Sequence, residues 1–103
     1  MRRQDDDLSL LELRVLLALE RLQPNGYGIS VVEYVLERTG RTLLTGGVYA
    51  AIKKLEARGL VVSTVGEAKP VKGGRAIRFS VPTDAGMSAL GAALNELDAL
   101  RGH

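Results

Sequence analysis

The sequence predicts an α+β protein that is mostly helical, with three helices, a two-stranded hairpin and a final helix. Two stretches before Thr45, and a third after it, carry apolar residues every three or four positions. Beyond Gly59 the apolar residues alternate or run together as in strands, and helical spacing returns after Pro82. At 103 residues we expect one domain with a modest core.

The first helix is predicted to begin around Ser9, after a charged leader of residues 1–7 that we expect to be disordered. Glu12 follows Ser9 at the spacing of a capping box. The helix then carries leucine and valine on more than one face and stops before Pro24 and Gly26. A helix this widely apolar must be largely buried.

The second helix is predicted from Ile29, Val32, Val35 and Leu36, which recur by three and four residues before Gly40. The β-branched residues would also suit a strand. The spacing, the interleaved charges and the terminal glycine favour a helix.

The third helix is predicted in the stretch TGGVYAAIKKLEARGL, where the hydroxyl of Thr45 can cap the start and Gly59 ends it. At 100° per residue, one narrow stripe faces inward, formed by Val48, Ile52 and Leu55. The opposite side is small and basic and comprises Gly46, Ala50, Lys53, Lys54 and Ala57. A helix that enters a DNA groove benefits from such a surface.

Two strands are predicted next, over residues 60–65 and 76–81, and they should pair as a hairpin. In the second strand Ile77, Phe79 and Val81 alternate with Ala76, Arg78 and Ser80. Residues 66–75 are predicted to form a loop. This loop is either a solvated connection or a wing that contacts phosphates through Lys69, Lys72 and Arg75.

The last helix is predicted from Thr83, whose hydroxyl can cap it, with apolar residues that recur as in a helix–helix seam. This seam can pack against the first helix of its own chain or against a second copy. We favour a homodimer, because a helix after a two-stranded hairpin has little of its own domain left to cover. The predicted dimer interface comprises Leu11, Val15, Met87, Leu90, Leu94 and Leu97.

Composition argues against several functions. The chain has no cysteine and one histidine, at position 103, so we expect no metal, no cofactor and no enzymatic activity. It has no apolar run that could span a bilayer and no signal peptide, and we expect a cytoplasmic protein. Residues 46–78 hold seven cations and two anions, a net +5 within a chain of net +2. Such a basic segment is typical of a phosphate-binding surface, although solvated lysines also produce it.

The order of helices, strands and loop is that of a winged helix-turn-helix with one C-terminal helix. The chain resembles the PadR family of bacterial transcriptional regulators in its leucine-rich first helix and in four motifs. These motifs are YG at residues 27–28, GGVYAAIKKLEARGLV at 46–61, GGRAIRF at 73–79 and PTDAG at 82–86. The resemblance implies a dimeric DNA-binding protein, usually a repressor, that binds an inverted-repeat operator.

The resemblance also implies site residues. Tyr49 would lie on the recognition helix and contact DNA or pack at the helix flank, and Lys53, Lys54 and Arg75 match basic phosphate-contacting positions. Arg58 fits a helix C-terminal charge better. The predicted DNA-binding set is Thr45, Gly46, Gly47, Tyr49, Ala50, Lys53, Lys54, Lys69, Lys72 and Arg75.

The chain departs from the family pattern at Gly47, where many relatives carry Ser or Thr, and at Ser80, where an aromatic residue is frequent. It ends after one tail helix, as in the short subfamily. Some short members bind flat hydrophobic compounds between subunits through a tryptophan, which this chain lacks. A small hydrophobic effector at the dimer interface is therefore an open expectation.

Together these patterns predict a DNA-binding domain at residues 8–82 and a dimerisation helix at 83–103. The predicted function is a sequence-specific, homodimeric transcriptional regulator that represses from double-stranded operator DNA. The alternative is a winged-helix module that binds a protein partner and no DNA.

Overall fold

The computed structural model describes residues 7–68 and 76–102, which form four helices and an antiparallel hairpin. The elements in chain order are α1 (Leu10–Leu22), α2 (Gly28–Thr39), α3 (Thr45–Ala57), β1 (Val61–Ala68), β2 (Ala76–Pro82) and α4 (Asp84–Arg101). The predicted winged helix-turn-helix with one C-terminal helix is confirmed. Residues 1–6 of the predicted leader, and the predicted wing contacts Lys69, Lys72 and Arg75, lie outside the described residues.

Helix α1 begins with the predicted capping box. The backbone N–H of Glu12 donates to Ser9 Oγ at 3.0 Å, and the N–H of Ser9 donates to Glu12 Oε1 at 2.8 Å. Two of the unpaired N–H groups at the helix start are satisfied in this way. The helix then buries Val15, Leu16 and Leu19 completely and packs against α2, α3, α4 and β2. It is the central element of the core.

Helices α2 and α3 end at the predicted glycines. Gly40 follows α2 with φ +78°, and Gly59 follows α3 with φ +74°, a conformation that L side chains rarely adopt. At the end of α3 the N–H of Gly59 donates to Glu56 O at 3.0 Å, and that of Leu60 donates to Leu55 O at 2.9 Å. This pair of bonds is a Schellman motif.

The start of α3 differs from the prediction. Thr45 is the first helical residue, and the N-cap position belongs to Leu44, whose side chain cannot accept a hydrogen bond. The predicted hydroxyl cap at Thr45 is therefore wrong. The first N–H groups of α3 consequently have no side-chain cap.

The hairpin is longer than predicted on its first strand. β1 continues through Gly66 to Ala68, with an irregularity in the pairing between Val65 and Ala68, so the predicted loop start at Gly66 is wrong. Glycine usually weakens a strand. Here the ring of Phe79 on β2 lies over Gly66, and a Cβ at Gly66 would come within 2.6 Å of that ring. The aromatic ring supplies the packing that the glycine lacks.

The buried face of the hairpin is the one that contains Ser80. Ser80 is 1% exposed and pairs with Ser63 across the sheet, with 2.7 Å between the two hydroxyl oxygens. Its N–H donates to Gly26 O at 2.8 Å, which attaches β2 to the turn between α1 and α2. Phe79 is half-buried on the other face, edge to face with Tyr27. Ser80 is therefore one half of a hydrogen-bonded serine pair and is itself buried.

Helix α4 is attached to the end of α3. Thr83 Oγ1 accepts from the N–H of Gly86 at 3.0 Å and donates to Gly59 O at 2.7 Å, while the N–H of Thr83 donates to Leu60 O at 3.0 Å. Thr83 is therefore the predicted N-cap, and it also joins two helices. No helix formed by the described residues is long and apolar enough to cross a membrane.

Candidate nucleic-acid interface

Helix α3 is held by its apolar stripe. Val48, Ile52 and Leu55 are buried as predicted, together with Ala51, and they pack against α1 and α2. Because four inward residues over eight positions fix the rotation of the helix, the opposite side is turned to solvent. The anchor residues of this helix are correctly predicted from spacing alone.

The outward side of α3 is flat at its start and basic further along. Thr45, Gly46 and Ala50 are exposed, and none carries a long side chain. Lys53 and Lys54 are exposed one turn later, and neither forms an ion pair with any described residue. Another molecule could therefore approach the backbone of α3 closely at its N-terminal turn, and two solvated cations lie beside this turn.

Tyr49 joins α3 to α2. Its ring lies directly across Gly28, so that a Cβ on Gly28 would overlap the ring. The side chain nevertheless remains 45% exposed. Tyr49 therefore packs at the helix flank and still presents part of its surface to solvent. The glycine of the YG pair at residues 27–28 is needed because the ring of Tyr49 occupies the space of a side chain there. The sequence alone does not show this, because Tyr49 is distant from Gly28 along the chain.

Two arginines of the basic segment are held by carboxylates. Arg58 caps the end of α3 and lies 3.4 Å from Glu12 of α1, while Arg78 on β2 lies 3.3 Å from Glu56 of α3. Arg58 thus has the structural position expected of it. Arg78 ties the hairpin to α3 through an exposed ion pair that contributes little energy. In the other pair the carboxylate of Glu12 is buried.

The predicted dimer residues divide into buried and accessible ones. Val15 and Leu90 are buried in the core of the single chain, where they are not accessible to a partner. Leu11 and Leu94 are partly buried against that core. Met87 and Leu97 are exposed, and Leu97 lies on the stretch of α4 that extends past the domain.

A metal site in the described residues would need several His, Cys, Asp or Glu side chains close together. No group of three or more metal-ligating side chains comes together within residues 7–68 and 76–102. The outward side of α3 carries small residues, two lysines and one aromatic ring.

Comparison with known proteins gives matches in structure alone. No family model matches the sequence, and no curated protein matches it. A PadR-family transcriptional regulator from Eggerthella lenta is 25% identical, with a TM-score of 0.72, and the match covers 90% of this chain and 82% of that one. A PadR-family regulator from Clostridium difficile is 21% identical, with a TM-score of 0.77, covering 91% and 93% of the two chains.

A third similar structure is PadR of Bacillus subtilis in complex with operator DNA. It is 20% identical with a TM-score of 0.70, and the match covers 82% of this chain and 46% of the longer protein. The proteins from Eggerthella lenta and Clostridium difficile are transcriptional regulators, in agreement with the prediction that this chain is not an enzyme. The chain therefore has a winged-helix fold similar to that of PadR-family regulators, as its sequence motifs predict.

Proposed function

We propose that this chain is a DNA-binding transcriptional regulator, and that it acts as a homodimeric repressor at an inverted-repeat operator. The observation that carries the proposal is the outward side of α3, which combines small residues with the unpaired Lys53 and Lys54 on a PadR-like fold. A structural neighbour of the same fold was crystallised with operator DNA. Residues 8–82 form the DNA-binding unit and residues 83–103 the dimerisation helix.

The N-terminal turn of α3 is the proposed point of closest approach. Gly46 has no atom within 4 Å of where a Cβ would stand, and Gly47 has only loose contacts. The uncapped N–H groups of this turn can bind a phosphate, aided by the positive end of the helix dipole. Thr45 supplies a hydroxyl beside them, and Ala50 leaves room for base edges one turn later.

Tyr49, Lys53 and Lys54 complete the surface, with Lys69, Lys72 and Arg75 proposed as phosphate contacts of the wing. Lysines mainly add affinity that does not depend on sequence. In a twofold dimer two α3 helices would enter successive major grooves roughly 34 Å apart. A cytoplasmic location and a small hydrophobic effector between the subunits belong to the same proposal.

The salt dependence of operator binding tests the function. Replacement of both lysines, Lys53→Ala with Lys54→Ala, removes four cations from a dimer. Each neutralised phosphate contributes about 0.9 to the slope of log K against log salt concentration. The slope should therefore fall by about 3.6, and affinity at low salt should drop strongly. Fluorescence anisotropy with a labelled duplex from the chain's own promoter measures both quantities.

Lys53→Arg with Lys54→Arg is the matched control, because it keeps a cation at both exposed positions of α3. The control should leave the slope unchanged. An unchanged slope in the alanine variant would take α3 out of the interface. If the wild-type chain binds no promoter duplex at any salt concentration, the proposed function fails and the protein-binding module becomes the better interpretation.

A further inference from the structure

Leu44 is an apolar side chain exposed at the start of α3. It is 82% exposed, whereas Leu43 beside it is 8% exposed and belongs to the core. Because the backbone at Leu44 is extended, with φ −75° and ψ 127°, the side chains of these two residues point to opposite sides. The burial of Leu43 therefore fixes the outward direction of Leu44.

The surroundings of Leu44 are small and polar. A Cβ at Gly47 would lie 3.9 Å from the Cβ of Leu44, so the leucine lies beside the first turn of α3, and Gly47 adds no side chain to cover it. Thr45 and Gly46 are exposed next to it. Arg41, earlier in the same linker, is also exposed and forms no ion pair with any described residue. Leu44 is thus a bare aliphatic group on the surface that the proposed function turns toward DNA.

Leucine is a poor choice for this position if the position has only a structural role. Leu44 is the N-cap of α3 and its side chain accepts no hydrogen bond from the helix, whereas Ser, Thr, Asp or Asn would accept one. An exposed leucine also leaves apolar surface in contact with water. Neither property stabilises the single chain, which points to a contact that Leu44 makes in a complex.

Duplex DNA offers a group that matches this side chain. A phosphate is a poor partner for leucine, because leucine donates no hydrogen bond and would displace water from the charge. In the major groove the base edges carry hydrogen-bonding groups, and their one aliphatic group is the C5-methyl of thymine. Recognition helices contact base edges with their N-terminal residues, and Leu44 lies at that end of α3.

We propose that Leu44 contacts the C5-methyl group of a thymine in each operator half-site and thereby selects thymine at that position. The leucine supplies sequence information there, while the lysines of α3 supply affinity that does not depend on sequence. This inference rests on the proposed DNA-binding function and names one base that the operator contains. An aliphatic ligand or an apolar protein surface fits less well, because it would remove Arg41 from water without an anionic partner, whereas DNA brings phosphates close to it.

Deoxyuridine tests the contact, because it pairs with adenine as thymidine does and lacks only the C5-methyl group. Each thymidine of the promoter duplex is replaced in turn, together with its symmetry mate in the other half-site. Fluorescence anisotropy at one salt concentration measures the dissociation constant of each duplex. At the position that Leu44 contacts, the constant should rise by about tenfold, since each lost methyl contact is worth about fourfold and the dimer makes the contact twice.

Variants at Leu44 assign the methyl contact to this residue. Leu44→Ala should bind the thymidine and deoxyuridine duplexes equally at that position, so the two changes are not additive. Leu44→Met keeps an aliphatic side chain of similar volume and should retain the preference for thymine. Leu44→Asn should lose the preference and yet raise the thermal unfolding midpoint by about 4–8 °C, because asparagine can cap α3. A purely structural role of Leu44 would not change the base preference.

Leu10→Ala is the matched control, because it makes the same substitution at a leucine that is 59% exposed on another helix, α1. This control should keep the preference for thymine. A wild-type chain that binds the promoter equally well with deoxyuridine at every position overturns the inference and leaves the proposed function intact. A Leu44→Ala chain that still distinguishes thymine from uracil at every position where the wild type does so also overturns it.

5-Methylcytosine carries the same methyl group and is the other source of this contact. If Leu44 strengthens binding only when a cytosine of the half-site is replaced by 5-methylcytosine, the assignment to thymine is wrong. If the wild-type chain binds no promoter duplex at any salt concentration, the proposed function fails and this inference fails with it.

Discussion

Two glycines of α4 should respond in opposite directions to the same substitution. At Gly86 a Cβ would overlap the carbonyl oxygen of Leu60 and lie 3.0 Å from its carbonyl carbon. At Gly91 no atom lies within 4 Å of the added carbon. Gly86→Ala should therefore destabilise the fold, and Gly91→Ala should stabilise it. Both substitutions replace glycine with alanine in the same helix and add the same volume, so each is a control for the other.

The cost at Gly86 follows from what the carbonyl of Leu60 does. That oxygen accepts the N–H of Thr83 at 3.0 Å, and Thr83 also donates to Gly59 O, so the clash cannot be relieved without disturbing the joint between α3 and α4. Overpacking costs about 1–3 kcal/mol, and a lost hydrogen bond costs about 1 kcal/mol more. Alanine regains about 0.5–1 kcal/mol in a helix. We expect a net loss of about 2 kcal/mol, set mainly by the overpacking.

Thermal unfolding followed by circular dichroism measures the effect. For a domain of this size 1 kcal/mol shifts the midpoint by about 4–8 °C, so Gly86→Ala should unfold roughly 8–16 °C below the wild type. Gly91→Ala should unfold about 2–8 °C above it. A Gly86→Ala protein as stable as the wild type would refute the close approach of α4 to Leu60. All samples must be at one concentration, since dimerisation shifts the midpoint.

Two further substitutions test a buried pair and the aromatic residue of α3. Ser63→Ala leaves the hydroxyl of Ser80 buried without its partner and should cost about 1–3 kcal/mol in urea unfolding. Changing both serines to alanine should cost less than the sum of the single changes, and simple additivity would contradict the pairing. Tyr49→Phe keeps the ring over Gly28 and should leave stability unchanged while weakening promoter binding in anisotropy. Unchanged binding would limit Tyr49 to packing.

The sequence predicts those parts of the fold that depend on near neighbours. Ser9 and Glu12 meet within one turn, and Gly40 and Gly59 each end a helix through hydrogen bonds to residues a few positions earlier. The apolar stripe of α3 is equally local, because helical geometry alone fixes which residues share a face. These features need no knowledge of the tertiary structure.

The remaining features depend on contacts between distant residues. From the sequence, Gly66 is predicted to end the first strand. In the structure the strand continues to Ala68, and the ring of Phe79 across the hairpin packs over Gly66. Ser80 is polar, yet it is buried because β2 is attached to Gly26 and faces Ser63. Val15 is likewise buried because several elements pack on α1. The spacing of apolar residues does not predict how many elements will do so.

The joint between α3 and α4 links the proposed DNA-binding surface to the proposed dimer contact. The Schellman turn at Gly59, the two bonds from Thr83 and the close approach at Gly86 join the end of α3 directly to the start of α4. In the proposed dimer the position of α4 would therefore set the separation and angle of the two α3 helices directly. A displacement of α4 would move α3 away from the spacing of successive major grooves.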